Sequence, residues 1–174
     1  MSTEGVPPYL FQELARSGYL WRLHADAFRS AAEKLVAGTP VEDYGKLTEV
    51  KTHVVLTYLF LIGLSLENLL KGLIIVAEPK LVTAEGLNRR LKTHDLDKLV
   101  GMVKRNEHYA LEFDYQEREL LTRLSNFVVW QGRYPVALKS IHQTGYHFKP
   151  EDRATFDRLW QHLSAALCET IESQ

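Results

Sequence analysis

The sequence predicts an all-α protein, an up-and-down bundle of about five helices. Apolar residues recur at steps of three and four along five segments of the 174-residue chain. Proline, glycine and polar runs separate these segments, and none of them alternates apolar with polar residues as a half-buried strand does. We expect a single domain over residues 1–174, because this length is enough for one continuous core.

The N-terminal part predicts two long helices. Pro7 and Pro8 open the first, which ends at the breaker 38–40. The second runs from about Lys46 to Glu78 and stops at Pro79. Its apolar residues lie on all sides, which is typical of the central helix of a bundle. The repeating residues of the first helix are Trp21, His24, Phe28, Ala31, Ala32 and Leu35.

Three further helices follow a polar loop around residues 85–90. They are predicted near Asp95–Arg105, at about Tyr115–Gln131, and from Pro150-Glu151-Asp152 onward. Either Thr93 or Asp95 is placed to cap the first of them. Their apolar stripes are Leu96, Leu99, Val100 and Val103; Leu120, Leu121, Leu124, Phe127 and Val128; and Phe156, Leu159, Trp160, Leu163 and Leu167.

Charge and cysteine content favour a cytoplasmic protein. Lys and Arg number 21 against 22 Asp and Glu, a formal net charge of -1, so no overall field would hold the chain on nucleic acid or on an anionic membrane. A local basic patch remains open. The single cysteine, Cys168, cannot form an internal disulfide and is predicted to be a buried structural thiol. The N-terminus shows no secretory signal pattern.

The apolar run from Val54 to Leu66 is interrupted by Glu67 and, one turn later, by Lys71. A membrane span needs about 20 predominantly apolar residues, so we interpret this segment as a core helix and expect no membrane association. Within a buried helix an unpaired charge costs several kcal/mol, so these two side chains need partners, a seam or a cavity.

The predicted partners lie at helix ends. His94 and Asp95 in THDL begin the third helix, and Arg133 and Tyr134 in GRYP follow the fourth. Two interpretations of this polar cluster stay open. The cluster either ties the helices together or lines a ligand or nucleotide pocket.

These residues resemble the motifs of the HEPN family (higher eukaryotes and prokaryotes nucleotide-binding). The motifs ENLLK, HDLDKL and RYP follow one another in the family's order, and the resemblance covers roughly residues 50–172. It implies a helical bundle, frequent homodimerisation, and a role around RNA or nucleotides. Members include toxin ribonucleases and non-catalytic partners of nucleotidyltransferases. A toxin-antitoxin or nucleotidyltransferase-associated context follows from the resemblance alone.

The resemblance also implies what a nuclease of this family would carry, an Arg followed after four to six residues by a His. On the fourth helix neither Arg118 nor Arg123 has such a His. Arg89 and His94 have the spacing but precede the third helix. We therefore expect a non-catalytic binding or accessory module, without catalytic residues, cofactor or metal. The first alternative is a metal-independent ribonuclease that uses His94 with Arg89 or Arg133. A third function class is a purely structural oligomerisation domain.

Other residues receive a plainer interpretation. His142, Tyr146 and His147 are assigned to a solvated loop rather than to a metal site, since neither a Cys nor clustered carboxylates complete a ligand set. Arg118, Arg123 and Arg133 are interpreted as a solvated face with ion pairs, and the alternative is a row of arginines that faces phosphate. Trp130 is placed in the core or at a dimer seam.

Overall fold

Six α-helices make up most of the part of the chain that the computed structural model describes, which is residues 7–38, 49–107, 109–131, 149 and 151–173. The all-α prediction is confirmed. The helices are α1 Pro8–Arg16, α2 Gly18–Val36, α3 Glu49–Ala77, α4 Leu96–Lys104, α5 Tyr115–Asn126 and α6 Asp152–Glu172.

The first predicted helix is divided into α1 and α2, so the prediction of one helix there was wrong. Ser17 has extended backbone angles, and its side chain accepts a hydrogen bond from the Leu20 N–H, which makes it the N-cap of α2. Gly18 then lies against Val76 and Ile171, where a Cβ would come within 2.7 Å of Val76 Cγ2. The buried face of α2 also differs from the predicted stripe. It consists of Gly18, Ala25, Ala32 and Val36, while His24 and Leu35 are exposed.

Helix α3 is the central element, as predicted. It packs against all five other helices, and most of its residues from Val55 to Val76 are buried. It ends at Ala77, one residue before the predicted end, while its predicted start at Lys46 lies outside the described residues. The stretch Val54–Ala77 is long and apolar enough to cross a membrane, but 78% of its most apolar window is buried inside the fold. A buried core helix meets the same criteria, so this finding is weak evidence for a span.

A small hairpin occupies the predicted polar loop between α3 and α4. Strands β1 Val82–Thr83 and β2 Gly86–Leu87 pair antiparallel, with Val82 opposite Leu87. Single 3₁₀ turns at Pro79–Leu81 and Arg89–Leu91 flank the hairpin. Two-residue strands are too short to show an alternating pattern, which is why the sequence did not reveal them.

Helices α4, α5 and α6 agree with the sequence predictions. Asp95 caps α4 by accepting the Lys98 N–H, while the hydroxyl of Thr93 accepts the N–H of Asp95. Helix α5 begins with a capping box and continues as a π-helical turn over Phe127–Gln131. The three predicted apolar stripes are buried. Cys168 on α6 is half-buried, so the prediction of a buried thiol was too strong.

A buried serine connects the three longest helices. The Ser65 hydroxyl on α3 donates to the Ala25 carbonyl on α2 at 2.8 Å and accepts from the Trp160 indole N–H on α6 at 3.0 Å. Ser65 is fully buried. Arg29 lies over the Trp160 ring, 4.4 Å from its centroid, and covers this link from α2.

Replacing Ser65 with alanine is expected to lower the free energy of unfolding by about 1–3 kcal/mol, because the Trp160 N–H would lose its buried acceptor and the Ala25 carbonyl would lose a second donor. Urea denaturation followed by circular dichroism measures this loss. The control is Ser30→Ala on the exposed side of α2, which is expected to change stability by less than about 0.5 kcal/mol. Equal effects of the two substitutions would contradict a structural role for the Ser65 link.

Candidate functional site

Glu67 and Lys71 form a buried ion pair on α3. They are 5% and 7% exposed, and the Lys71 ammonium donates to Glu67 Oε1 at 2.7 Å. The spacing i, i+4 with the carboxylate first favours such a contact on any helix. On a surface this pair would contribute little, but here both charges are removed from water and depend on each other.

His94 contacts the same carboxylate from the segment that leads into α4. Its Nδ1 lies 3.0 Å from both Oε1 and Oε2 of Glu67. A carboxylate only accepts hydrogen bonds, so the Nδ1 nitrogen carries the proton, and in the neutral ring Nε2 is then the acceptor. The imidazole keeps 41% of its side-chain surface exposed. The predicted contact between Glu67 and His94 is confirmed, and we call Glu67, Lys71 and His94 the Glu67 network.

Asp95, the next residue, faces α5 instead. The Ser125 hydroxyl donates to Asp95 Oδ1 at 3.3 Å and accepts the Leu96 N–H at 2.9 Å, which fixes the start of α4 on α5. Burial acts to raise the pKa of the Asp95 carboxyl, but the hydrogen bonds and charge of Lys98 hold that pKa below its ordinary value. Asp95 therefore has a capping role beside the Glu67 network.

Two members of the predicted cluster, Arg133 and Tyr134, lie outside the described residues, as do His142, Tyr146 and His147. The predicted contact of Arg133 with Glu67 therefore stays a prediction. Among the described residues, the cluster consists of the Glu67 network with Asp95 next to it.

Arg89 lines a groove of about 860 Å³ between the 3₁₀ turn Arg89–Leu91 and α4. Arg90, Lys98 and Arg105 share this groove, and the acidic residues of its described lining are Asp95 and Asp97. His94 is not part of its lining. We call this feature the basic groove. A local basic patch was left open above without a location, although the sequence pairs Arg89-Arg90 and Lys104-Arg105 indicate one.

Arg123 and Asp152 form a second buried ion pair, between α5 and α6. Both terminal nitrogens of the guanidinium donate to the carboxylate, one to each oxygen, and the Lys149 N–H donates to Asp152 Oδ2 at 2.9 Å. Asp152 is only 1% exposed. Arg118, five residues before Arg123, is exposed. Arg118 is thus on a solvated face as predicted, whereas the prediction misjudged Arg123, which is largely buried. Arg133 lies outside the described residues.

Within the described part of the chain, no group of three or more His, Cys, Asp or Glu side chains is arranged to hold a metal ion. Comparison of the chain with protein-family models, curated proteins and solved structures finds no match.

Proposed function

We propose that this chain is a HEPN-like bundle that acts as a non-catalytic binding or accessory module. The supporting observation is the contact of His94 Nδ1 with both oxygens of the buried Glu67 carboxylate. This contact joins the ENLLK motif on α3 to the THDL motif at the start of α4. Two segments that resemble the family at the level of sequence are thus adjacent in the fold.

The Glu67 network supports a structural role for these residues. Glu67 Oε1 has both Lys71 and His94 within hydrogen-bond distance, and Oε2 has His94. The network satisfies the two buried charges without a ligand, so it accounts for the polar interruption of α3 as a tether between helices. Binding would then use the surface of the bundle rather than the network itself.

The partners in this proposal follow from the resemblance. They are a second copy of the chain in a homodimer, a nucleotidyltransferase-like protein, and RNA or a nucleotide. The proposal places the protein in the cytoplasm, in a toxin-antitoxin or nucleotidyltransferase-associated context. It assigns no cofactor.

One observation favours a second candidate, the metal-independent ribonuclease. A carboxylate that accepts the Nδ1 proton of a histidine orients the ring and leaves Nε2 free to take a proton, which is how a general base is prepared. His94 is exposed enough to reach a 2′-hydroxyl, and Arg89 is the described arginine at the matching spacing. In this candidate Arg89 would stabilise charge on the phosphate.

The cleavage assay separates the two candidates. We expect the purified protein to leave single-stranded RNA of mixed sequence intact in EDTA, because the fourth helix has no His at the family's distance from Arg118 or Arg123. Denaturing gel electrophoresis measures the intact fraction over time. The matched control is His94→Ala, which removes the only imidazole of the Glu67 network.

Cleavage by the wild type that disappears in His94→Ala would overturn the non-catalytic proposal and establish the ribonuclease. Glu67→Gln adds a second test, since an amide keeps the side-chain shape but no longer stabilises an imidazolium. A true base–carboxylate pair would lose activity in this variant as well.

A further inference from the structure

We propose that the basic groove binds the phosphate backbone of single-stranded RNA. This inference rests on the proposed binding function and gives it a location that differs from the Glu67 network. The groove is lined by four cationic side chains, Arg89, Arg90, Lys98 and Arg105, and by the carboxylates of Asp95 and Asp97. The described lining therefore has a net charge of +2, whereas the whole chain carries -1.

The three arginines are free to bind an anion. Lys98 is paired with Asp95 at 2.9 Å, but within the described part of the chain no ion pair engages Arg89, Arg90 or Arg105. All three residues are exposed. A guanidinium presents a planar fork of donors that matches two phosphate oxygens, so arginine is well suited to this ligand.

The extent of the groove favours a strand over a single phosphate ion. Lys98 and Arg105 are both carried by α4 and its C-cap, and at 1.5 Å per residue they lie about 10 Å apart along the helix axis. Arg89 and Arg90 extend the positive surface onto the neighbouring 3₁₀ turn. Successive phosphates of one strand would therefore be needed to contact all of these cations.

The two carboxylates favour RNA over an acidic peptide. Asp97 is exposed and accepts a hydrogen bond from the Thr122 hydroxyl at 2.9 Å, and partial desolvation raises the pKa of its carboxyl. The carboxylate side chains of an acidic peptide bring no hydrogen-bond donors to Asp97, so such a peptide could offer it only backbone N–H groups. Bases and 2′-hydroxyls offer N–H and O–H donors that a carboxylate can accept.

The lining of the groove also predicts which part of the RNA strand it contacts. Its apolar part consists of Gly101 and Met102, and no aromatic side chain among the described residues lines it. Stacking on aromatic rings is the usual way in which proteins hold unpaired bases. We therefore infer contacts to the backbone, with little dependence on base sequence.

Fluorescence anisotropy with a short labelled RNA of mixed sequence tests the proposal. With three phosphate contacts, the slope of log K against log salt is expected to be about −2, so affinity falls about twentyfold between 50 and 200 mM salt. The variant R89Q/R90Q/R105Q is expected to bind at least about tenfold more weakly at 50 mM salt, with a slope near zero. These side chains are exposed, so the variant should fold, and circular dichroism checks this.

Two controls define the outcome. K34Q/R118Q removes exposed positive charge from α2 and α5, outside the groove lining, and should leave affinity within about twofold of the wild type. Poly-glutamate serves as the acidic-peptide competitor. Unchanged binding by the triple variant, loss of binding in K34Q/R118Q to the same degree, or displacement of RNA by an equal charge concentration of poly-glutamate would each overturn the groove assignment.

Different results would overturn the groove as the RNA site and the non-catalytic function of the protein. RNA held by both the wild type and the triple variant would overturn the groove but leave a binding module elsewhere on the surface. Absence of RNA binding by the wild type would overturn the groove as an RNA site. RNA cleaved during the titration, as seen on a denaturing gel, would overturn the non-catalytic function whatever the groove variants do.

Discussion

Glu67→Ala is expected to lower the free energy of unfolding by about 3–5 kcal/mol, the usual cost of removing one member of a buried ion pair. The reason is that Lys71, only 7% exposed, would keep its charge in an apolar interior without the carboxylate that now accepts its hydrogen bond. His94 would lose the same partner, at smaller cost because its side chain is partly hydrated. Urea denaturation followed by circular dichroism gives the loss directly.

The matched control is Asp26→Ala, which breaks the i, i+4 pair of Arg22 and Asp26 on the partly exposed side of α2. That pair has the same spacing but is far more exposed, so the expected loss is below about 0.5 kcal/mol. Similar losses in Glu67→Ala and Asp26→Ala would contradict the importance of burial at Glu67.

A second comparison tests the stranded charge itself. Adding Lys71→Met to Glu67→Ala removes the unpaired ammonium and keeps an apolar chain of similar length, so much of the lost stability should return.

A double-mutant cycle of Glu67→Gln with His94→Ala tests the contact between these two residues. It should show a coupling energy of at least about 0.5 kcal/mol, since the stability losses of residues without a shared contact add within roughly that amount. If Lys71→Met alone stabilised the fold strongly, the network would be strained and the pocket interpretation would gain support.

The sequence predicted the elements whose signal is long and periodic. The stripes of α4, α5 and α6 repeat over at least two turns, and the buried face follows directly from that period. The contact of Glu67 with His94 was also predictable, because buried charges in an apolar helix need partners and few polar residues stood at helix ends. The contact could be predicted because only a few residues were able to meet the requirement that a buried charge has a partner.

Features that depend on one residue or on long-range pairing could not be predicted from the sequence. Ser17 ends one helix and caps the next, and a lone serine before glycine is a weak signal inside a periodic segment. Ser65 was visible in the apolar run, but its partners on α2 and α6 depend on how three helices pack. Asp152 was recognised as the acidic start of the last helix, yet sequence order alone could not pair it with Arg123.

Arg123→Ala is expected to reduce the free energy of unfolding by about 3 kcal/mol, near the lower end of the range for breaking a buried pair. The guanidinium donates to both oxygens of Asp152, which is 1% exposed, so its removal leaves a buried carboxylate with fewer donors. The cost stays at the lower end because the Lys149 N–H still donates to Asp152 and the N-terminus of α6 favours an anion.

Three measurements make this prediction specific to the buried pair. Arg123→Lys should restore only part of the loss, because an ammonium cannot bind two carboxylate oxygens in the planar arrangement of arginine. Arg158→Ala removes a guanidinium that pairs with Asp114 and Glu117 at the start of α5. Because this guanidinium is about half exposed and water can replace it, the loss should stay below about 1 kcal/mol. Binding of RNA by folded Arg123→Ala protein should equal that of the wild type, since Arg123 does not line the basic groove. Two results together would contradict this prediction. Unchanged stability of Arg123→Ala would mean that the pair with Asp152 contributes little to the fold, and weakened RNA binding would place Arg123 in the binding surface.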